Sequence, residues 1–155
     1  MSQNKSIYLA LGGKIGLDCM EIAKKKKIEI KGFSIRRNQY SPKQADYLIS
    51  VQYNRIFSLT DIDMYKKAYN FHFSALPLNR GCLPINWAIW NKDPVAVTLH
   101  EIDKGIDTGN IIEQRFIEVE PKDTDYLVYL KCCLVCKQMF ADRIEDLITE
   151  NYNSY

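Results

Sequence analysis

The sequence predicts an α/β chain: an open, mostly parallel sheet flanked by helices, with one long helix at the C-terminus. Three observations carry this. Short apolar runs of strand length alternate with segments of helical period along the chain. No internal repeat or low-complexity linker interrupts the alternation. From Asp123 onward there is no glycine or proline, while Leu127, Leu130, Leu134, Ile144, Leu147 and Ile148 keep helical spacing. Ligands of such Rossmann-like sheets bind beyond the carboxyl ends of the strands.

The elements follow in order. Ile7 to Leu11 is an apolar run stopped by Gly12 and Gly13, after which Ile15, Cys19, Ile22 and Ala23 recur at helical spacing. Lys24 to Lys27 place cations where a helix end carries partial negative charge, and Ile28 to Ile35 then alternates like a strand. Arg36 to Gln44, with Pro42, reads as loop, and Asp46 to Gln52 as the third strand. Leu59 to Lys67 has room for a helical turn or two before the strand Ala68 to Phe73. Pro77, Gly81 and Pro84 mark a loop, Ile85 to Trp90 a short helix, and Val95 to His100 the next strand. Asp103 to Gly109 is turn chemistry, and Ile111 to Val119 offers a last strand.

A chain of 155 residues fits one domain. Its 46% hydrophobic and 26% charged residues match ordinary globular usage, which argues against disorder and disulfide scaffolds. The net charge of +2, with basic residues scattered apart from the lysine run, gives no footprint for a nucleic-acid partner. No apolar run approaches the roughly 20 residues that span a bilayer, and Met1 to Ser6 is polar, so the expectation is a cytoplasmic protein without a membrane partner. Five cysteines, three of them at Cys132, Cys133 and Cys136, fit reduced thiols on one helix better than a metal site, which wants four converging ligands.

Chemistry concentrates at Asn70 and His72. Two apart on a strand, they project from one face, just before a loop. An amide there can donate to a developing oxyanion, and an imidazole can do the same or carry a proton. A histidine satisfied in the core between Phe71 and Phe73 is the other reading of that spacing. The turn Gly12-Gly13-Lys14-Ile15-Gly16 looks like a phosphate cradle, and a tight strand-to-helix turn accounts for its glycines equally well.

Asn70 to Gly81 read NFHFSALPLNRG, and Val97 to Ile112 read VTLHEIDKGIDTGNII. Together they resemble the formyltransferase family that uses 10-formyltetrahydrofolate, whose pattern is an Asn and a His two apart, a Ser before a Leu-Pro pair, an Arg-Gly, and an Asp in a D-x-G loop. The resemblance runs from about Asp46 to Thr124. It implies that Asn70 bonds the formyl oxygen, that His72 acts as acid, base or oxyanion donor, and that Asp107 orients His72 or a proton-carrying water. Gln52 to Phe57 (QYNRIF) matches the family loop against which the pterin lies, so Gln52, Tyr53, Asn54, Arg55, Ile56 and Phe57, with Asp103 and Gly105, are the expected donor contacts.

Arg80 to Asn91 (RGCLPINWAIWN) is most similar to sugar N-formyltransferases acting on nucleotide-linked amino-dideoxysugars. The resemblance therefore implies such an acceptor, with Gly12, Gly13, Ser74, Arg80 and Trp87 as its expected contacts and no metal. His100, which often has a counterpart in the family without a chemical duty, is expected to be structural. The stretch between the second strand and the Asn-x-His strand is short for the family. Residues 1–155 are expected to form one catalytic domain without a C-terminal accessory domain, with a homodimer as the expected assembly. Two alternatives stay open: a glycinamide ribonucleotide formyltransferase, against which the lack of Ser-Asn in the first turn counts, and a non-catalytic relative that binds folate or a nucleotide sugar.

Overall fold

A computed structural model describes residues 5–41 and 43–155; Met1 to Asn4 and Pro42, read above as part of a polar start and of a loop, lie outside the described residues. The chain runs β1 (Ser6–Leu11), α1 (Gly13–Lys25), β2 (Glu29–Ser34), a 3-10 turn at Arg37–Gln39, β3 (Tyr47–Val51) and α2 (Leu59–Ile62). It continues through β4 (Lys67–His72), α3 (Pro84–Asn91), β5 (Val95–Glu101), β6 (Ile111–Ile117) and α4 (Asp125–Thr149). The six strands form one sheet in the order β2-β1-β3-β4-β5-β6. β2, β1, β3 and β4 are mutually parallel, and β5 and β6 are antiparallel to their neighbours. The predicted mostly parallel sheet, with its long terminal helix, is what forms.

Strand periodicity decides where the core sits. Ile7, Leu9, Leu11, Tyr47, Ile49, Val51, Tyr69, Phe71, Val97 and Leu99 point to one face and are fully buried. Ile15, Cys19 and Ala23 of α1, Ile85 and Ala88 of α3, and Val128, Cys132, Cys136, Met139, Phe140, Ile144 and Leu147 of α4 pack on that same face. α4 starts on Thr124, whose hydroxyl accepts from the Leu127 N–H at 3.2 Å, and ends at Glu150 in the left-handed region. The five cysteines are all unpaired thiols.

The opposite face is built differently. Tyr8, Ala10, Leu48 and Ala68 are covered there by Ala45, Tyr53 and Tyr65, with Tyr40, Phe57, Ile62 and Ile102 against them. Among the described α-helices, α2, a single turn closed by a Ser58–Asp61 capping box, contributes Ile62 to this side. Segments 35–46 and 52–66 lack a long helical period, so aromatic rings do the covering: Tyr8 and Tyr40 meet edge to face at 5.5 Å, and Tyr53 stacks on Phe57 at 6.1 Å. After α4 the chain returns to the sheet edge, where Tyr155 exchanges two backbone hydrogen bonds with Ile111, at 2.8 and 3.0 Å. No described helix is long and apolar enough to cross a membrane.

Candidate active site

The face without long helices turns polar at β3, β4 and β5. Register places Ser50, Asn70 and His100 in one row across these three strands, and His72 lies two residues beyond Asn70. All four therefore project to the same side. Asp107 reaches them from the loop after β5. That loop is shaped by Asp103, whose Oδ1 accepts from the Gly105 N–H at 2.9 Å and the Thr108 hydroxyl at 2.5 Å. Asp107 itself has φ of +51°, a left-handed conformation that Asp tolerates better than most residues.

Asp107 is the hub. Its Oδ2 accepts from the Gly81 N–H at 2.8 Å and lies 3.6 Å from His72 Nδ1. Its Oδ1 lies 3.4 Å from Asn70 Nδ2 and 3.5 Å from His100 Nε2. Arg80 Nε donates to the Asp107 carbonyl at 3.1 Å, so the loop after β4 and the loop after β5 hold each other. Burial pushes the Asp107 carboxyl up, but the neighbouring His100 and His72 rings and the Gly81 N–H outweigh it and hold the group at about 2. The carboxylate is ionised at neutral pH.

His72 is buried, which lowers its basicity more than Asp107 and the Asn79 carbonyl raise it. Its Nε2 lies 3.0 Å from Asn79 O, an atom that can only accept, so the neutral ring carries hydrogen on Nε2. Nδ1 then presents a lone pair across 3.6 Å to the carboxylate. That gap is too long for a direct hydrogen bond. A proton taken up at Nδ1 creates a cation facing Asp107, so the arrangement stores a base whose charged form is met on arrival.

These residues line a cavity of about 440 Å³, within the range of small-molecule sites. Gln52, Tyr53, Asn54, Arg55, Ile56, Phe57, Asp103 and Gly105 form its walls, and Asn70, His72 and Asp107 lie at its floor. Arg55 packs over the Tyr40 ring at 4.6 Å and bonds Asp61, and its Nε is buried without a hydrogen-bond partner among the described residues. The expected acceptor contacts are more dispersed. Ser74 is fully buried and donates to Leu78 O at 2.8 Å, and Trp87 lies on the exposed side of α3; neither lines the cavity. Gly12 and Gly13 stand outside it as well: the Gly12 N–H bonds Val51 O at 2.8 Å, and a Cβ at Gly12 would come within 1.7 Å of Gln52 O. His100, expected to be structural, belongs to the floor. What the sequence lacked was the β4–β5 register, which alone sets residue 100 beside residue 70.

The chain matches a family model described as formyl transferase over residues 20–144. It is 40% identical over 90 residues to the bifunctional polymyxin resistance protein ArnA of Wigglesworthia glossinidia brevipalpis, covering 57% of this chain and 14% of that protein. It is 31% identical over 116 residues to a methionyl-tRNA formyltransferase of Agathobacter rectalis, covering 69% of this chain and 37% of that one. It thus spans well under two thirds of the curated relatives it matches. Among solved structures it resembles the formyltransferase PseJ of Anoxybacillus kamchatkensis, crystallised with UDP-4,6-dideoxy-4-formamido-L-AltNAc and tetrahydrofolate. The TM-score is 0.83 at 25% identity over 97% of this chain and 80% of that one. With the family model spanning most of the sequence, and the sheet and floor residues in the places described, the chain belongs to the formyl transferase family.

Proposed function

We propose that this chain transfers the formyl group of 10-formyltetrahydrofolate to the amino group of a nucleotide-linked amino-dideoxysugar. The observation that carries the reading is the convergence of Asn70, His72 and the ionised Asp107 on the floor of a cavity walled by residues 52–57. The walls suit the donor: a flat aromatic edge at Tyr53 and Phe57, and backbone from the 52–57 loop. When bound, the donor supplies an amide-like formyl carbon open to attack.

The chain's own residues do the rest. Asn70 directs an N–H at the formyl oxygen, where negative charge gathers as the amine adds. His72 Nδ1, directly or through one water, takes the proton the attacking nitrogen loses and returns it to the departing N10, so the formyl–N10 bond breaks as the new amide forms. Asp107 faces the transient imidazolium. Arg80, whose Nε is committed to the Asp107 carbonyl, offers its outer nitrogens to an anion at the rim, which fits the diphosphate of a nucleotide sugar. The sugar assignment rests on the segment Arg80 to Asn91 and on the likeness to PseJ, which was solved with such a product.

The test is a transfer assay with 10-formyltetrahydrofolate and separate acceptors: nucleotide-linked 4-amino-4,6-dideoxyglucose, its 3-amino isomer, and glycinamide ribonucleotide. Mass gain on an amino sugar is expected. Transfer to glycinamide ribonucleotide alone overturns the sugar assignment and keeps the formyl transfer. A folate-induced rise in thermal stability with no transfer to any acceptor replaces the enzyme with a folate-binding module.

A further inference from the structure

We propose that His100 is a positioning residue that turns the Asn70 amide so that one of its N–H bonds is free and aimed into the cavity. The proposal rests on the formyl-transfer reading above and concerns a side chain to which that reading gives no part. His100 is 2% exposed, and each of its ring nitrogens has a protein partner within hydrogen-bond reach. Its Nδ1 lies 2.7 Å from the carbonyl oxygen of Glu101, which can only accept, and the ring hydrogen is therefore on Nδ1. Its Nε2 is left with a lone pair, 3.3 Å from Asn70 Nδ2.

The orientation of the amide follows from the same atoms. Asp107 is ionised and offers Oδ1 at 3.4 Å, so the end of the Asn70 amide facing it is the NH₂ group; an oxygen there would face a carboxylate. Asn70 Nδ2 thus meets two acceptors. These are themselves only 3.5 Å apart. At bond lengths of 3.3 and 3.4 Å they subtend roughly 60° at the nitrogen, half of the roughly 120° between its two N–H bonds. One hydrogen is shared between His100 and Asp107, and the other points away from both.

With Asp107 as sole acceptor, the amide could rotate to lay either hydrogen straight along the Asn70–Asp107 line. His100, fixed by the β4–β5 register and by its own Glu101 bond, sets the plane. Glutamine at this position can bring Oε1 to where Nε2 now stands; phenylalanine keeps the volume and offers no lone pair.

The experiment uses the full chain with 10-formyl-5,8-dideazafolate carrying a 13C-labelled formyl carbon, read by isotope-edited infrared spectroscopy without acceptor, and then by steady-state kinetics. In the wild type the bound formyl stretch is expected below its free value. His100→Phe should bind the analogue within about threefold, return the stretch toward the free value, and lower kcat by roughly ten- to a hundredfold, the range of a misdirected oxyanion donor. His100→Gln should recover most of both. A His100→Phe protein with wild-type stretch and kcat overturns the proposal. So does equal loss in both variants accompanied by weakened analogue binding or a lowered Tm, which marks a structural histidine. Failure of the wild type to bind the analogue removes the folate reading, and the proposal with it; binding with an unshifted stretch removes the proposal alone.

Discussion

The two faces of the sheet divide stability from chemistry. Along β4, Tyr69 and Phe71 point to the face covered by α1, α3 and α4, where the strand residues are apolar and fully buried. Asn70 and His72 point to the other face, which no long helix among the described residues covers and which opens into the cavity. A period of two puts a core and a candidate active site on successive residues of one strand. Covering one face with helices supplies the burial that leaves the other free to hold polar groups at fixed positions.

That division is open to attack from each side. Phe140 is fully buried on α4, with its ring 5.7 Å from that of Phe71. Phe140→Ala should cost about 3–5 kcal/mol in urea unfolding, while the protein that remains folded keeps its donor affinity. Loss of affinity ahead of unfolding would show that the faces are coupled. On the other side, His72→Gln or Asp107→Asn should lower turnover by about a hundredfold or more with Tm within a few degrees of wild type. A collapse in Tm from either change would place these residues in the core's service instead.

The pH dependence sharpens the comparison further. His72 is depressed by burial, so its neutral, proton-accepting form dominates at pH 7, and kcat/KM should fall on acidification only below the ordinary histidine range near pH ~6.5. Asp107 raises the His72 value, so Asp107→Asn should move that acid limb to still lower pH while lowering the plateau. A limb that shifts upward in Asp107→Asn contradicts the assigned pairing. The same depressed histidine binds fewer protons folded than unfolded, so its stabilising contribution, present above the unfolded value, drains away as pH falls through the folded one. The smallest effect is expected on the helix face's rim: Lys26 of the α1 end pairs with Glu145 of α4, both partly exposed, and Lys26→Ala should change stability by less than about 1 kcal/mol.

Much of this arrangement is legible in the sequence because it is local. Asn70 and His72 share a face by spacing alone, and Leu127 to Ile148 predict α4 from their own period. What the sequence withholds is long-range. The allocation of α1, α3 and α4 to a single face depends on strand order, and the place of His100 depends on a register joining residues 30 positions apart. The loop residues are placed differently for the same reason. Gln52 to Phe57 line the cavity as one continuous piece, whereas Ser74 and Trp87, chosen by their place in a motif, depend on how a loop folds back, and that loop turns the Ser74 hydroxyl to Leu78 and leaves Trp87 on the outside of α3.

Gly12 is where the two halves of the molecule press against each other. It leaves β1 with no side chain because Gln52 O, the first carbonyl of the cavity wall, occupies the space a methyl group would need. Gln52 itself holds a left-handed backbone at that point, φ +51°, so it has little freedom to retreat. The turn works as a doorstop for the wall. In a genetic screen for defective donor binding, Gly12→Ala should appear beside the lining residues although it lies outside the cavity, and compensating changes should be found in the wall at Gln52 and Tyr53 rather than in α1. A position that looks like a phosphate cradle in sequence would then be recovered through the mechanics of its neighbour.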